Sequence, residues 1–478
     1  MVDMGEGEDM PRTCEGAGCE EMDVPSTCGD GNLDAGEVCD EGNKDDGDYC
    51  AADCSRETGA CGDGIQQDNE ACDDGMNPDG ACSYGETSCM ACDASCQLTD
   101  GATSFCGDGV VQQEHGELCD DGDDNADDAE CLPDCTRPLP VKVIGAEGSS
   151  YVLMSNGTVY SWGANHAGQL GNGTLEHLAQ PTQVQNLTNV VDLISRSGVV
   201  CAFRLNGELF CWGANAVGAS GNGTFEQVTS PTKVLGLPNI ITAAAGKGFV
   251  CAVAQGGDVY CWGLNGDRQL GFIGENQNLP VKVELPHPAV DVELGEQHAC
   301  AILETSDVWC WGSGVGYGYP GFEGRLPQEV AELRGATELF SGRGRIFFLR
   351  AGELWGIGSN EGSRLHVCCE DQYNEAVRIE ALSNVASVDS ERDHSCVLRE
   401  DQSAYCWGSN IHGQLSKPDT VEAEITDIGL VLDIDVGRIH TCAINSENRV
   451  FCWGNNEFGQ LGFDGEGGPT PREVTFWP

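Results

Sequence analysis

IITAAAGKGFVCAVAQGGDVYCWGLNGDRQLG, residues 240–271, is the stretch whose reading decides the fold. IITAAAG is a short apolar strand. FVCAVAQGGDVYCWG is two apolar strands turning at Gly256-Gly257, residues that tolerate positive φ, and NGDRQLG is a glycine-rich turn before a proline-led strand at 280–283. Strand, hairpin, turn and strand make one four-stranded unit. In the preceding unit, Cys201, Phe203 and Leu205 share one face and Ala202, Phe210 and Trp212 the other. A strand that is apolar on both sides fits a sheet sandwiched between sheets.

Outward from this stretch the unit recurs. Trp-Gly pairs begin at Trp162, Trp212, Trp262, Trp311, Trp355, Trp407 and Trp453, separated by 50, 50, 49, 44, 52 and 46 residues. Self-similarity at that period marks units that bury an apolar face only by stacking on neighbours, here in a closed ring. Further hairpin turns fall at Asn206-Gly207, Thr305-Ser306, Asp401-Gln402 and Glu447-Asn448. The full signature W-G-x-N-x-x-G-Q-L-G is nearly complete at 162–171 and 453–462. It resembles the regulator of chromosome condensation repeat family. That resemblance implies an all-β, seven-bladed β-propeller over residues 138–478. Blade five departs most: Trp355-Gly356-Ile357-Gly358 lacks the Gln-Leu-Gly turn, and blade four replaces that turn with GVGYGYPG.

Cysteine placement addresses the compartment. Five hairpins carry a cysteine on each strand at a spacing of ten: Cys201/Cys211, Cys251/Cys261, Cys300/Cys310, Cys396/Cys406 and Cys442/Cys452. An even separation about a common turn places the two residues opposite one another on one face, at a Cα distance a disulfide spans. Blades one and five lack both partners, with Tyr151/Ser161 and Ile346 or Phe347 at the matching places. Pairs gained or lost together are what a covalent bridge predicts, and so is an oxidising compartment. Cys368 and Cys369 remain, adjacent in blade five; they form a vicinal bridge, stay reduced, or bind metal with His366.

The first 140 residues differ in kind. They hold 16 of the 28 cysteines and 38 of the 78 acidic residues against four Lys and Arg, a formal charge of −34 out of the chain's −54. Without apolar runs such a segment needs staples, and the expected form is a disulfide-rich, acidic, loop-dominated region. Residues 1–27 read as a disordered acidic linker, of the kind that follows a processed end or a lipid anchor, and show no secretory leader. Residues 28–135 hold three imperfect copies: CGDGNLDAGEVCDEG from Cys28, CGDGIQQDNEACDDG from Cys61 and CGDGVVQQEHGELCDDG from Cys106. Each copy has an even cysteine count, Cys14 and Cys19 make a further pair, and the connectivity stays open. The pattern resembles cysteine-rich repeats of secreted myxobacterial proteins, which implies a bacterial, extracellular source.

Recurring carboxylates in these copies are the metal candidates: Asp30, Glu37 and Asp40, then Asp63, Glu70 and Asp73, then Asp108, Glu117 and Asp120. Hard oxygen donors on a pinned turn suit calcium, which would relieve the repulsion of like charges. The alternatives are solvated acids on a disulfide knot, or zinc held by Cys50-x3-Cys54, Cys92-x3-Cys96 and Cys131-x3-Cys135.

No nucleophile motif, phosphate loop or zinc-protease helix stands out, so no catalytic residues are assigned. His298, His394 and His440 each precede a hairpin cysteine by two residues and read as structural. The sequons at Asn156, Asn172, Asn186 and Asn222 are idle in a bacterial source. No run reaches the length needed to cross a bilayer. The eponymous relative of the repeat family is a nucleotide-exchange factor on chromatin; a propeller of charge −20 is hostile to nucleic acid and makes that role a poor fit. A secreted relative that inhibits β-lactamase through one rim suits an extracellular setting better. The expectation is a secreted or cell-surface binding protein whose rim engages a protein or a glycan. The loop residues Asn165, His166, Asn215, Asn265, Arg268, Tyr317, Tyr319, Asn410, His412, Asn456 and Phe458 would form its face, with Tyr317, Tyr319 and Phe458 as anchors. The competing classes are an inhibitor of an extracellular enzyme and a hydrolase or lyase at the central channel.

Overall fold

Seven four-stranded antiparallel sheets succeed one another between Pro140 and Glu473, and in each the order in the sheet is the order in the sequence. The computed structural model describes residues 32, 66, 71–72, 82–92, 97–100, 103–126, 130–313, 326–362, 364–368 and 370–477. The chain divides into two units, Met1–Arg137 and Pro138–Pro478. The second is a seven-bladed β-propeller. The first strands of neighbouring blades pack on one another around the whole ring, so they line its axis.

Blade 3 shows the local logic. Ile240–Ala245, Phe249–Ala254, Val259–Gly263 and Gln277–Val283 are its strands, with the hairpin at Gly256-Gly257. Phe249–Ala254 is buried on both faces because sheets press on it from either side. One strand does not extend as far as its apolar residues suggest: Leu205 of blade 2 lies past the end of Val199–Arg204 and is 83 % exposed. The glycine of each Trp-Gly pair is required by geometry. Gly213 has φ +97°, and a Cβ there would lie 2.1 Å from the Gly198 carbonyl oxygen.

Register corrects blade five. In blade 3, Trp262 opposes Val250 and Gly263 opposes Phe249. In blade 5 the residues in those places are Ile357, opposite Ile346, and Gly358, opposite Arg345. Trp355-Gly356 is therefore not the repeat pair. It sits two residues early, and Trp355 takes the place of Tyr260, half-buried with the Arg350 guanidinium 4.0 Å from its ring. The uneven fourth and fifth intervals, 44 and 52, hide a regular pair: counted to Ile357, the spacings on either side become 46 and 50.

The five cross-strand disulfides Cys201–Cys211, Cys251–Cys261, Cys300–Cys310, Cys396–Cys406 and Cys442–Cys452 join directly opposed residues with Cα separations of 4.0–4.1 Å. In the two blades without a bridge a large residue faces a small one. Tyr151 opposes Ser161, and Phe347 opposes Gly356, where a Cβ would press on Leu365 at 3.0 Å. Cys368 is exposed, and Cys369 lies outside the described residues.

The ring closes without exchanging a strand. Gly468–Glu473 pairs with Val450–Gly454 and completes blade 7, so it does not lie beside the first strand of blade 1. Side chains make the join: Val143 and Gly145 amides donate to Asp433 and Asp435, and Phe476 and Trp477 of the C-terminal tail pack edge-on against Tyr160.

In the N-terminal unit, the third cysteine copy is described through most of its length. Its bridges are nested, Cys106–Cys135 around Cys119–Cys131, and Cys82–Cys89 is a separate short loop. Its buried apolar cluster consists of half-cystines alone, whereas Val110 and Leu118 are each 61 % exposed.

Candidate binding surfaces

Strand direction gives the propeller two unlike faces. One carries the Trp-Gly loops and the turns after each first strand; the other carries the hairpin turns and the crossovers between blades.

On the loop face the asparagines of the W-G-x-N signature point inward. Asn165, Asn215 and Asn265 are buried; each accepts the amide of the residue five places on and donates to carbonyls across its own loop. Asn410 and Asn456, half-buried, do the same. Asn165, Asn215 and Asn265 are loop clamps and not surface donors, which corrects the expectation that they form a recognition face; Asn410 and Asn456 clamp their loops in the same way but also line surface grooves. The physical reason is the loop's own hydrogen-bond inventory: a turn folded over a buried sheet edge leaves amides and carbonyls that a single carboxamide satisfies together. Asn360 is the matching clamp in blade 5, accepting from Leu365 and donating to Val367 and Glu370. Its signal was readable three residues after Ile357, once Ile357 and not Trp355 is taken as the repeat position.

The glutamines serve the same end. Gln169, Gln269, Gln414 and Gln460 each accept an amide two residues upstream. Carbonyls of these loops then receive the indole N–H of the next blade's tryptophan: Gln169 from Trp212, Ala219 from Trp262, Gln269 from Trp311, Arg364 from Trp407, Gln414 from Trp453 and Gln460 from Trp162, all at 2.8–2.9 Å. Ile357 has no donor. The seam between blades 4 and 5 therefore lacks this tie.

The three recurring histidines are interior, as the sequence suggests. His394 and His440 bond to the hydroxyls of Thr441 and Ser150 in the following blade, and Arg345, at the same position in blade 5, reaches Ser395. Burial pushes His394 down to about 3, His298 and His440 to about 4 and Arg345 to about 9.

Of the predicted face residues, a short set remains at the surface, beside other exposed loop residues such as Leu175, Phe225 and Ile273. His166 and His412 are exposed, and Arg268 sits half-buried at φ +62°. Phe458 lies half-buried between blade 7 and blade 1, 5.2 Å from the His177 ring and against Gly148. Two shallow grooves of about 420 Å³ each flank Asn456; Ile411, His412 and Asn455 line one, His177, Phe458 and Phe463 the other. Ile411, 86 % exposed, was not anticipated from the signature. Tyr317 and Tyr319 lie outside the described residues.

The axis is lined by acid. Several first strands carry acids: Asp192, Asp291 and Asp433 at one level, and two residues further on Glu293, Asp389 and Asp435, which line the channel cavity together with Ile144, Ile194 and Ala244. Each of several carboxylates takes a free amide of the neighbouring first strand: Glu293 from Ser341, Asp389 from Val436, Asp433 from Val143 and Asp435 from Gly145. Asp389 and Asp435 are also hydrogen-bonded to each other. Burial pushes Glu293 up to about 8, Asp433 up to about 6, and Asp389 and Asp435 upward. Below them Arg196 of blade 2 crosses the axis to the carbonyls of Leu294, Ser341 and Ser390 in blades 4, 5 and 6 and pairs with Glu391 at 3.5 Å. It is a crossbar that separates the two mouths of the channel.

In the N-terminal unit, Asp108, Glu117 and Asp120 are turned into their own fold. Asp120 accepts the amides of Gly107, Asp108 and Gly122; desolvation opposes its charge, but these bonds hold its carboxyl below the usual range. Glu117, buried, accepts the Gln112 amide and the Tyr84 hydroxyl, and Asp108 holds the amides of Phe105 and Val110. Glu117, Asp120 and the Cys135 sulfur approach within 4.8 Å, but that sulfur is already bound to Cys106. Asp30, Glu37, Asp40, Asp63, Glu70 and Asp73 lie outside the described residues.

Comparison with known proteins agrees with the architecture. Two models of the regulator of chromosome condensation (RCC1) repeat match, one at residues 156–198, 206–253 and 256–302, the other at 240–269, 289–318, 385–414 and 431–460. No curated protein sequence matches the chain. Among solved structures, yeast RCC1 (Prp20) bound to Kap60 is 19% identical with a TM-score of 0.61, covering 70% of this chain and 84% of that one. A structure of Prp20p from Saccharomyces cerevisiae, described with its binding to Gsp1p and histones, is 19% identical with a TM-score of 0.60, covering 70% and 86%. Human WBSCR16 is 19% identical with a TM-score of 0.58, covering 67% and 94%. At that identity the likeness is one of fold.

Proposed function

The chain carries regulator of chromosome condensation repeats folded as a seven-bladed propeller, and from that premise we propose that it is a secreted or cell-surface bacterial binding protein. Its loop face engages a macromolecule, a protein in preference to a glycan, and the acid-rich unit before it is a stapled spacer. The observation that carries this reading is the rigidity of the loop face. Every described Trp-Gly loop outside blade 4 is pinned by an asparagine, and most by a glutamine as well. A surface so fixed loses little conformational entropy when a partner docks. The five hairpin disulfides support an oxidising compartment. Exposed Ile411 beside His412 and the groove at Asn455, in the loops of blades 6 and 7, give that part of the face an apolar side chain with polar flanks.

A hydrolytic reading at the channel is weaker, because its carboxylates already hold backbone amides and Arg196 bars the passage. The test is capture from bacterial envelope and extracellular fractions with the whole chain, followed by Ile411→Glu combined with His412→Ala. A partner retained by the parent and released by the variant supports the loop face. Equal retention by both would remove it.

A further inference from the structure

The two mouths of the channel are unlike in charge. Toward the hairpin face the first strands carry Asp192, Asp291 and Asp433 against one lysine, Lys142, which pairs with Asp192. On the loop face the mouth is formed by the turns that follow the first strands, and six of the seven hold charged residues. Glu147, Lys247, Glu296, Arg343, Arg392 and Arg438 come one from each blade but the second, where Ser197 stands. The turns lock onto one another through the backbone: the Lys247 amide donates to the Glu296 carbonyl, that of Arg343 to Glu391 and that of Arg438 to Ala146. Cations from four blades are thereby held around a single opening.

Pairing leaves that opening with cationic charge to spare. Arg438 lies 2.8 Å from Glu147, Arg364 2.9 Å from Asp393 and Arg196 3.5 Å from Glu391. Glu296 is shared, 3.3 Å from Arg392 and 3.7 Å from Arg343. Every carboxylate of these turns therefore has a guanidinium and one has two, whereas Lys247, exposed, pairs with none of them among the described residues. Arg392 is also incompletely used: its Nε–H is buried and makes no hydrogen bond, close as it is to Glu296. A buried donor without an acceptor is costly, and a ligand oxygen within its reach would remove that cost.

The surroundings reinforce the sign. Burial, and after it the charge of neighbouring cations, holds Arg345, His298 and His394 below their ordinary values. Burial also raises Glu391 and, one layer deeper, pushes Glu293 up to about 8, which mutes the negative charge that would offset the arginines. Between the turns is a cavity of about 60 Å³, lined by Lys247, Arg392 and Arg438 with the already paired Glu147, Glu296 and Glu391. That is room for one carboxylate or phosphate group and too little for a nucleotide. A polyanion is repelled by the propeller's charge of −20, but a single carboxylate responds mainly to the charges nearest it.

We propose that this mouth is an oxyanion site whose occupant is the carboxylate of an aspartate or glutamate side chain, presented by the protein that docks on the loop face. The source of the carboxylate rests on the loop-face reading; the site itself does not. Lys247 supplies the unpaired charge, and Arg392 and Arg438 flank it with further donors. The mouth lies on the axis of the ring, at the centre of that face, and central, desolvated positions are where interface energy concentrates.

The test uses the full chain at low ionic strength, titrated calorimetrically with acetate, with inorganic phosphate, and with the end-blocked tripeptides glycyl-glutamyl-glycine and glycyl-glutaminyl-glycine. The glutamyl peptide should bind at about 1–10 mM, the glutaminyl peptide should show no binding, and added salt should weaken the first. Lys247→Gln should lower that affinity about fivefold or more, whereas Lys233→Gln, at an exposed lysine already paired with Glu208, should leave it unchanged. Both positions are exposed, so the melting temperature should not move in either variant. No binding of any anion, equal binding of the two peptides, or binding indifferent to Lys247→Gln would overturn the site. Binding of acetate and phosphate without the glutamyl peptide would mean a free anion only, and would overturn the occupant. None of these outcomes is read from capture or from the Ile411 variant, which decide the loop-face reading separately.

Discussion

The propeller and the third cysteine copy use the same bond in opposite settings. In the propeller each disulfide is embedded among buried Val, Ala, Trp and Leu from two adjoining blades, as Cys251 and Cys261 are between Phe249, Leu270 and Trp311. In the N-terminal copy the disulfides are themselves the buried cluster, the apolar Val110 and Leu118 face outward, and carboxylates occupy the inside. A cross-link closing ten residues, or one closing twelve, is worth about 2–3 kcal/mol in the chain-entropy picture. The bond contributes about equally in both units. What it is added to differs, and the comparison teaches that the consequence of a cystine is set by the core around it.

Reduction is the strongest way to break that comparison. Mild dithiothreitol on the native chain should abolish amide-exchange protection across 103–137 while the propeller strands stay protected; loss of both together, or of neither, would refute the contrast. Next in size, Cys119→Ser with Cys131→Ser should unfold the third copy, measured by proteolysis within 103–137, whereas Cys251→Ala with Cys261→Ala should lower propeller stability by about 2–3 kcal/mol without loss of the folded state. Smaller again is the inter-blade tie. Trp212→Phe removes the indole N–H bound to the Gln169 carbonyl and should cost about 1–2 kcal/mol in denaturant unfolding, and the Trp355→Phe change, away from any such tie, should cost less.

The smallest effect concerns pH. Glu293 has its folded value raised from 4.5 to about 8 by burial, so the folded state holds a proton the unfolded chain has released. Its contribution is fully present below about 4.5 and is lost as pH rises toward 8. Glu293→Gln should therefore lose less stability than the parent between pH 5 and pH 8. The buried histidines act with the other sign: His394 and His440 are depressed, so the unfolded chain takes up protons first and stability falls as pH drops below about 6.5. His440→Gln should flatten that acid limb, and an unchanged limb would show that these rings do not stay neutral inside the fold.

Much of the architecture could be read from residues because the repeat is enforced by backbone geometry. The glycine after each repeat-position residue, Ile357 included, adopts φ near +100° against a carbonyl, and the cysteine spacing of ten follows from opposed strands. The blade-five error came from the same source. Trp355-Gly356 satisfies the dipeptide but not the register, and only strand pairing reveals that Ile357-Gly358 is the repeat position. The candidate face was less legible. Asparagine in a glycine-rich loop has the composition of a recognition surface, yet the loop consumes its hydrogen bonds internally. Arg196 gave no local sign, because it matters through distances across the ring that no stretch of sequence contains. The third acidic copy, the one described, is stapled as the sequence suggests, but its carboxylates turned inward were not legible, since that depends on which amides the nested bridges bring within reach.

Those nested bridges carry a consequence for biosynthesis. In the propeller every described half-cystine joins the next cysteine in the chain, so an oxidase acting on thiols in order of emergence would make each correct pair before a rival appeared. Cys106 must instead pass over two thiols and wait for Cys135. Sequential oxidation there yields the wrong partners first, and maturation of that unit calls for a thiol isomerase where the propeller needs none.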